Sequence, residues 1–438
     1  MAESTPPPQQ LKRELGVFGA MMMGMGSIVG TGVFVSIGLA AGVAGPSVLL
    51  AIVVAAMVAV CNGLSSAQLA ANHAVSGGTY EYGYQFLWPL LGFWAGWMFL
   101  CAKSASAATA ALGFSGYLLT AIGGVESWLV PVAIAAVVVL TLIVLMGIRQ
   151  SNRTNITIVS ITLGTLIIFA LALAPDAWEK GEVTLQPFFA APTVDRAPLV
   201  AFLEACALMF VAFTGYGRIA TLGEEVREPR RTIPKAIELT LIVSAILYIV
   251  VGLVTVAAVG PEALGRMTER AAAPLEQAAR LLEINWVAWV VGIGAITAML
   301  GVLLNLILGL SRVLLAMGRR GDMPGALARL NAAGATPVVA VAVTGIVIAA
   351  LALFGDVKTT WSFSAFTVLL YYAITNLSAL RLTDEQRYYP RWISMAGLIG
   401  CVALAFFVET TFWVTGLAFL LIGTIWFVIA RRARTRSE

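Results

Sequence analysis

Long apolar runs fill this chain, and short polar stretches rich in Arg, Glu, Pro and Gly separate them. A helix that crosses a bilayer needs about 20 mostly apolar residues. Twelve runs meet that length, at about 15–40, 45–71, 86–120, 128–147, 155–174, 198–222, 234–260, 285–317, 337–355, 360–381, 391–409 and 411–430. The turn between the last two is so short that they are expected to form an antiparallel hairpin. The pattern therefore predicts an all-α protein that crosses a membrane many times.

Composition sharpens this picture. Of the 438 residues, 60% are apolar and only 11% charged, against about 25% charged in soluble proteins. Water alone does not solvate such a surface, so lipid is an expected partner. The 42 glycines fit as well, because glycine is commoner in membrane helices than in soluble ones. Loops on the cytoplasmic side carry the excess of Lys and Arg. With the N-terminus inside, 19 of the 27 Lys and Arg fall on inner segments and six on outer ones; Lys103 and Arg218 lie within spans. Both termini are thus expected to be cytoplasmic. The inner loop at 72–85 has no Lys or Arg and is a local exception. The net charge of +4 is spread between apolar runs, which argues against a nucleic-acid patch.

Several chemistries find no support. Cys61, Cys101, Cys206 and Cys401 are scattered among apolar residues without metal-ligand spacing, so neither a disulfide frame nor a metal site is expected. No phosphate-binding Walker loop, nucleophile elbow or HExxH helix occurs, so the chain is not expected to be an enzyme, and no catalytic residue or cofactor is assigned. The one histidine, His73, reads as a solvated or capping loop residue. The polar, Pro-rich Met1–Gln10 lacks the features of a signal peptide. The acidic and basic run from Glu224 to Arg231 reads as an inner loop that pairs with neighbouring loops.

Two runs are interrupted in corresponding places. The first holds Gly24, Gly26, Gly30 and Gly32; the sixth holds Gly215 and Gly217. Glycine costs about 1 kcal/mol in a helix relative to alanine, so these clusters invite unwinding. Paired glycine-broken spans mark binding sites in transporters built from inverted repeats; close helix packing is the alternative use of such glycines. Unwound backbone leaves N–H and C=O groups that lipid does not satisfy. Amides near Gly30, Thr31 and Gly32, at a half-helix N-terminus, suit a carboxylate. Carbonyls from Val211 to Thr214 suit an ammonium. A small zwitterion answers both.

GSIVGTGVF (Gly26 to Phe34), SGGTYEYGY (Ser76 to Tyr84), LGFWAGW (Leu91 to Trp97), FVAFTGYGRIATLGEEVREPRRTIPKAI (Phe210 to Ile237) and SRVLLAMGRRGDMP (Ser311 to Pro324) occur in that order. In this ordered set the chain resembles the amino acid–polyamine–organocation superfamily of permeases, nearest its bacterial cationic-amino-acid-transporter-like branch. The resemblance implies 12 transmembrane helices with a five-plus-five inverted-repeat core of the leucine-transporter type, in which helices 1 and 6 are discontinuous. On this plan residues 1–14 are a cytoplasmic tail and 15–381 the core, with repeats at 15–174 and 198–381. Residues 391–430 are two accessory helices and 431–438 a basic tail. The resemblance also implies the bacterial inner membrane and alternating access. The substrate carboxylate falls to Ile28, Gly30, Thr31 and Gly32, and the ammonium to carbonyls of Val211, Ala212 and Thr214. Phe213 and Tyr216 are aromatic walls or gates, or ordinary core packing.

This sequence departs from the cationic pattern in its charges. The helix 3 carboxylate position is Ala102, followed by Lys103; the helix 6 Asp position is Gly217, followed by Arg218; the helix 5 Lys position is Thr162. Buried membrane charges cost about 2.5–3.5 kcal/mol each and are usually functional. Lys103 and Arg218 therefore need partners, and Glu204, Glu224, Glu225 and Glu409 are the candidates. Arg218 is expected in a structural ion pair more than against substrate. Lys103 is a candidate for the coupling role that Thr162 cannot fill, since burial makes a lysine give up its proton more readily.

The expected function is secondary transport, as symport or exchange, of an L-amino acid, neutral in preference to acidic, with H+ or Na+ as candidate coupling ion. An acidic amino acid, another small organic ion, an uncoupled pore, and a non-transporting transceptor or membrane subunit are the alternatives. Which amino acid is carried, the direction of net transport and the oligomeric state are not legible. Protease mapping of right-side-out vesicles should leave both termini protected until the membrane is opened; a C-terminus cut from outside overturns the orientation.

Overall fold

In an apolar medium a backbone N–H finds a partner only in its own helix or a closed sheet, so apolar runs become helices. The structure is a computed structural model that describes residues 15–73, 77–147, 152–189, 197–220, 226–331 and 336–434. Among these residues there is no named strand, only one parallel bridge between Leu15 and Val226. The helices are α1 (Val17–Ile28), α2 (Ile37–Ala44), α3 (Val48–Asn72), α4 (Thr79–Phe86), α5 (Pro89–Ile122), α6 (Leu129–Leu145), α7 (Asn152–Thr184), α8 (Pro198–Phe213) and α9 (Gly217–Ala220). They continue as α10 (Pro229–Val259), α11 (Pro261–Ala271), α12 (Pro274–Leu281), α13 (Asn285–Arg320), α14 (Val338–Phe354), α15 (Val357–Leu380), α16 (Arg391–Ala405) and α17 (Thr410–Arg434). Proline opens α5, α8, α10, α11 and α12, where its missing N–H costs nothing.

Nine helical runs among the described residues are long and apolar enough to cross a membrane. The first is Val17–Asn72, 56 residues long, and contains the turn Gly45–Ser47 between α2 and α3. Two further apolar helices, α14 with 17 residues and α16 with 15, are shorter. The helices agree with the apolar runs to within a few residues, with one large exception. α7 was expected to end near 174 and continues to Thr184. Pro175 does not stop it, and a Lys180–Asp176 ion pair of 2.8 Å holds the polar extension together. The amphipathic helices α4, α11 and α12 fall in stretches that read as loops.

Burial divides the helices into centre and rim. Of the apolar window in Pro198–Ala220, 78% is buried, as in Val357–Leu380, against 17% in Thr410–Arg432. α8 and α15 are thus central, and α17 shows its side chains to the surroundings. Hydroxyl and amide pairs lock the centre: Ser65 to Ser394 at 2.8 Å, Ser106 to Ser364 at 2.7 Å and Thr109 to Thr360 at 2.8 Å. The Tyr80 and Tyr84 hydroxyls both donate to Asp322 Oδ2 at 2.6 Å, and Trp426 Nε1 donates to the Asp322 carbonyl at 2.8 Å. These bonds tie α4 and α17 to the end of α13.

The corner between α11 and α12 sits on α5 without clearance. A Cβ at Gly116 would lie 1.9 Å from the Ala271 carbonyl oxygen. Overpacking of this kind costs about 1–3 kcal/mol. Gly116→Ala should therefore lower the thermal unfolding midpoint of the detergent-purified protein, and an unchanged midpoint would show that the corner is not seated.

Candidate functional site

Helix α1 stops at Ile28 because the chain leaves helical geometry at Val29 (φ −83°, ψ 90°). Its continuation, Gly32–Ser36, is a π-helical turn before α2, a distortion frequent at functional sites. α8 likewise stops at Phe213, and Thr214–Tyr216 form a 3-10 turn before the short α9. The two interruptions meet. A Cβ on Gly215 would lie 2.4 Å from the Ser27 carbonyl carbon and oxygen, and one on Gly32 would lie 3.1 Å from the Ala212 carbonyl oxygen. Only glycine lets the two backbones approach this closely.

Backbone groups set free by the breaks are braced by tyrosines. Tyr248 on α10 donates to the Ile28 carbonyl at 2.8 Å and also lies 3.2 Å from that of Ala212. Tyr372 on α15 donates to the Thr214 carbonyl at 3.0 Å, and Tyr117 on α5 to the Phe34 carbonyl at 2.8 Å. The Thr214 hydroxyl donates to the Val211 carbonyl at 2.8 Å. Each carbonyl has two lone pairs; that of Val211 takes both the N–H and the hydroxyl of Thr214, so the expected ammonium acceptor there is spent, and acceptor capacity remains at Ala212 and Thr214. Sequence reasoning missed all three tyrosines. A tyrosine in mid-span was the available signal, since its buried hydroxyl needs a partner.

The predicted site residues fall at the breaks but not all in the expected roles. The Gly30 N–H, expected as a carboxylate donor, is spent on the Ile28 carbonyl at 3.1 Å. Thr31 is buried, and its hydroxyl has no hydrogen-bond partner among the described residues. A buried polar group in that state costs about 1–3 kcal/mol, and here it lies at the mouth of a helix break. Phe213 and Tyr216 are fully buried; Phe213 packs on Tyr248 at 5.0 Å and Tyr216 on Tyr372 at 5.4 Å between ring centroids. Both are part of an aromatic cluster in this conformation.

Lys103 reaches the break. Its Nζ donates to Thr214 Oγ1 at 2.8 Å. The expected carboxylate partner is not found there: among the described residues no carboxylate lies within ion-pair distance of Lys103. Glu409 pairs with Lys358 at 3.9 Å. Glu204 is buried on α8, ten residues before Thr214, or about 15 Å of helix. Glu224 and Glu225 lie outside the described residues. Arg218 is half-buried on α9. Thr162 is buried and donates to the carbonyl of its own helix at Ile158, 2.8 Å away. His73 caps α3 through its backbone N–H and packs near Tyr82 and Phe86. In the Glu224 to Arg231 stretch, Glu228 caps α10 and lies 3.7 Å from Arg231 in its first turn.

The site thus consists of two adjoining helix breaks braced by hydroxyls, with a buried cation beside them. The profile of the family described as Amino acid permease matches residues 19–435.

The chain belongs to the amino acid permease family. It is 42% identical to an uncharacterized transporter of Mycobacterium tuberculosis, over 98% of this chain and 94% of the relative. It is 29% identical to the branched-chain amino acid permease of Bacillus subtilis, covering 97% and 94%. A methylthioribose transporter of the same bacterium is 26% identical, covering 97% and 95%. The superfamily resemblance and the membership in transporters, not enzymes, are thereby established, and this permease is an integral membrane protein.

Tyr248→Phe keeps the ring against Phe213 and removes the brace from two carbonyls. It should cost about 1–3 kcal/mol, read as a lower unfolding midpoint in detergent; equal midpoints would mean that these carbonyls find other donors.

Proposed function

We propose that this permease is a secondary active transporter that moves a neutral L-amino acid by alternating access. The observation that carries this reading is the crossing of two interrupted helices, with a partnerless Thr31 hydroxyl on one and braced carbonyls on the other. The cargo carboxylate is met by the Thr31 hydroxyl and the backbone of Ile28, Thr31 and Gly32. Its ammonium takes the remaining lone pairs of the Ala212 and Thr214 carbonyls, and reaches that of Val211 only if the Thr214 hydroxyl turns away from it. Phe213 and Tyr216 close the apolar side of the site and move when it opens.

The architecture proposed is 12 crossings. Val17–Asn72 makes two of them, divided at Gly45–Ser47, and α14 and α16 complete the set. At about 1.5 Å per residue, the 17 residues of α14 span roughly 25 Å, and neighbouring helices and flanking polar residues make up the rest. Residues 15–174 and 198–381 are the inverted repeats, and 391–430 the accessory pair. Both termini lie in the cytoplasm, and the membrane is a bacterial plasma membrane.

Lys103 sets the charge preference. A cationic cargo would bring a second positive charge into a desolvated site where, among the described residues, no carboxylate stands beside Lys103, so arginine and lysine are excluded. The branched-chain permease among the relatives supports a neutral aliphatic cargo. Lys103 also favours a second reading, an acidic amino acid whose extra carboxylate pairs with its ammonium. Lys103 carries the coupling proton in place of the lysine absent at Thr162; Na+ coupling and plain exchange are the competing outcomes. Arg218 is structural.

The test is uptake of labelled leucine, isoleucine, valine, glutamate and arginine into proteoliposomes with imposed proton or sodium gradients. Saturable, stereoselective uptake of a neutral amino acid is expected, with arginine at background. Tight, saturable arginine uptake overturns the charge argument. Flux that never saturates identifies a pore, and binding without flux a transceptor. Lys103→Ala should abolish the pH dependence of uptake, and a profile like that of the unaltered protein would remove Lys103 from the coupling step.

A further inference from the structure

The loop between α10 and α13 holds a buried carboxyl that the transport reading does not use. Glu276 lies on α12 and has no exposed surface. Its Oε1 accepts from Arg280 Nη2 at 2.8 Å and from Nε at 3.3 Å. Its Oε2 is buried without a hydrogen-bond partner among the described residues. That oxygen points at α13, where a Cβ on Gly292 would lie 3.1 Å away. An ionised carboxylate is acceptor-only and needs donors at both oxygens. Half of this one has donors and half faces glycine.

The helix that carries Glu276 is clamped and strained. Ala272 before it and Glu283 after it are non-glycine residues at left-handed φ, 54° and 59°, a conformation that persists only when the surroundings enforce it. The clamps are the Leu275 N–H on the Tyr117 hydroxyl at 3.3 Å, Arg280 on the Thr120 carbonyl at 3.2 Å, and Arg280 stacked 6.0 Å from the Trp289 ring centroid. Tyr117 also holds the Phe34 carbonyl in the π-helical turn. α12 is thus one bond removed from the broken first helix.

We propose that Glu276 is a proton-binding site whose protonation seats α12 against α13 and α5, and whose ionisation releases it. The charged surroundings are sparse. Arg280 on the same helix is the one cation at the carboxyl, and Tyr117 faces it from α5. The Asn285–Leu310 part of α13 and the turn Gly32–Ser36 contain no ionisable residue, and in α10 Tyr248 is the one beyond Glu238. On α11, Glu262, Arg266, Glu269 and Arg270 are all exposed. Burial raises the Glu276 pKa to about 7, against the opposing pull of Arg280. A carboxyl raised in the seated form stabilises that form fully below its ordinary pKa, and the stabilisation is lost as pH rises through about 7. α12 lies outside the membrane-crossing runs.

The seat itself stands independently of the proposed cargo; only its use in coupling rests on the transport reading. Hydrogen–deuterium exchange of residues 272–284 tests it without any substrate. After correction for intrinsic rates, exchange in the unaltered protein should be about tenfold or more faster near pH 8 than near pH 5, since one pKa unit is worth a factor of ten. Glu276→Gln, which fixes the neutral form, should stay protected at both pH values, while segments in α8 and α15 report that the fold is intact. Arg280→Gln should move the release to higher pH. Equal pH profiles in the unaltered and Glu276→Gln proteins would leave a structural ion pair and overturn the proton site.

Discussion

The whole arrangement depends on one constraint: a backbone N–H or C=O held away from water has to be answered by another group. In continuous helix each answers its neighbour four residues away. At Val29–Gly30 and Thr214–Tyr216 that accounting fails, and the protein repairs it with tyrosine hydroxyls from three other helices and with the hydroxyl of Thr214 in the break itself. The repair is complete at the Ile28 and Val211 carbonyls and incomplete by one acceptor each at Ala212 and Thr214 and by the Thr31 hydroxyl. A permease that filled every valence would hold its breaks closed and offer a zwitterion nothing.

Small residues make the repair possible. Gly32 and Gly215 let the two interrupted chains come within contact of each other, so that one tyrosine, Tyr248, reaches carbonyls on both. The same closeness brings Thr214 under Lys103. A hydroxyl as the partner of a buried cation is a weak answer to a full charge, which leaves Lys103 sensitive to whatever anion or proton donor arrives beside it.

Much of this was legible in the sequence. Apolar run length gave the helices, because the bilayer sets a fixed requirement, and glycine clustering gave the two breaks. Three kinds of feature were not. α7 continues past Pro175 because a local ion pair and a polar face sustain it outside the apolar run, where hydropathy is silent. α4, α11 and α12 are amphipathic and short, and tertiary contact stabilises them more than composition does. Partner choice was the least readable: Lys103 was expected against a carboxylate and meets Thr214, because distance along the chain says nothing of which side chains three helices bring to one point. Tyr117, Tyr248 and Tyr372 were visible as residues, but their acceptors exist only after the helices have broken.

The bridge between Leu15 and Val226, with the Arg227 N–H on the Leu15 carbonyl at 2.8 Å, joins the chain just before α1 to the chain just before α10. It is a short crossbar between the start of the first interrupted helix and the segment leading into α10. Under the alternating access proposed here, such a crossbar would tie any swing of the start of α1 to the segment leading into α10, so that this face would open as a unit or stay shut. Leakage through a half-open passage would then be suppressed by mechanics, with no side chain needed to plug it.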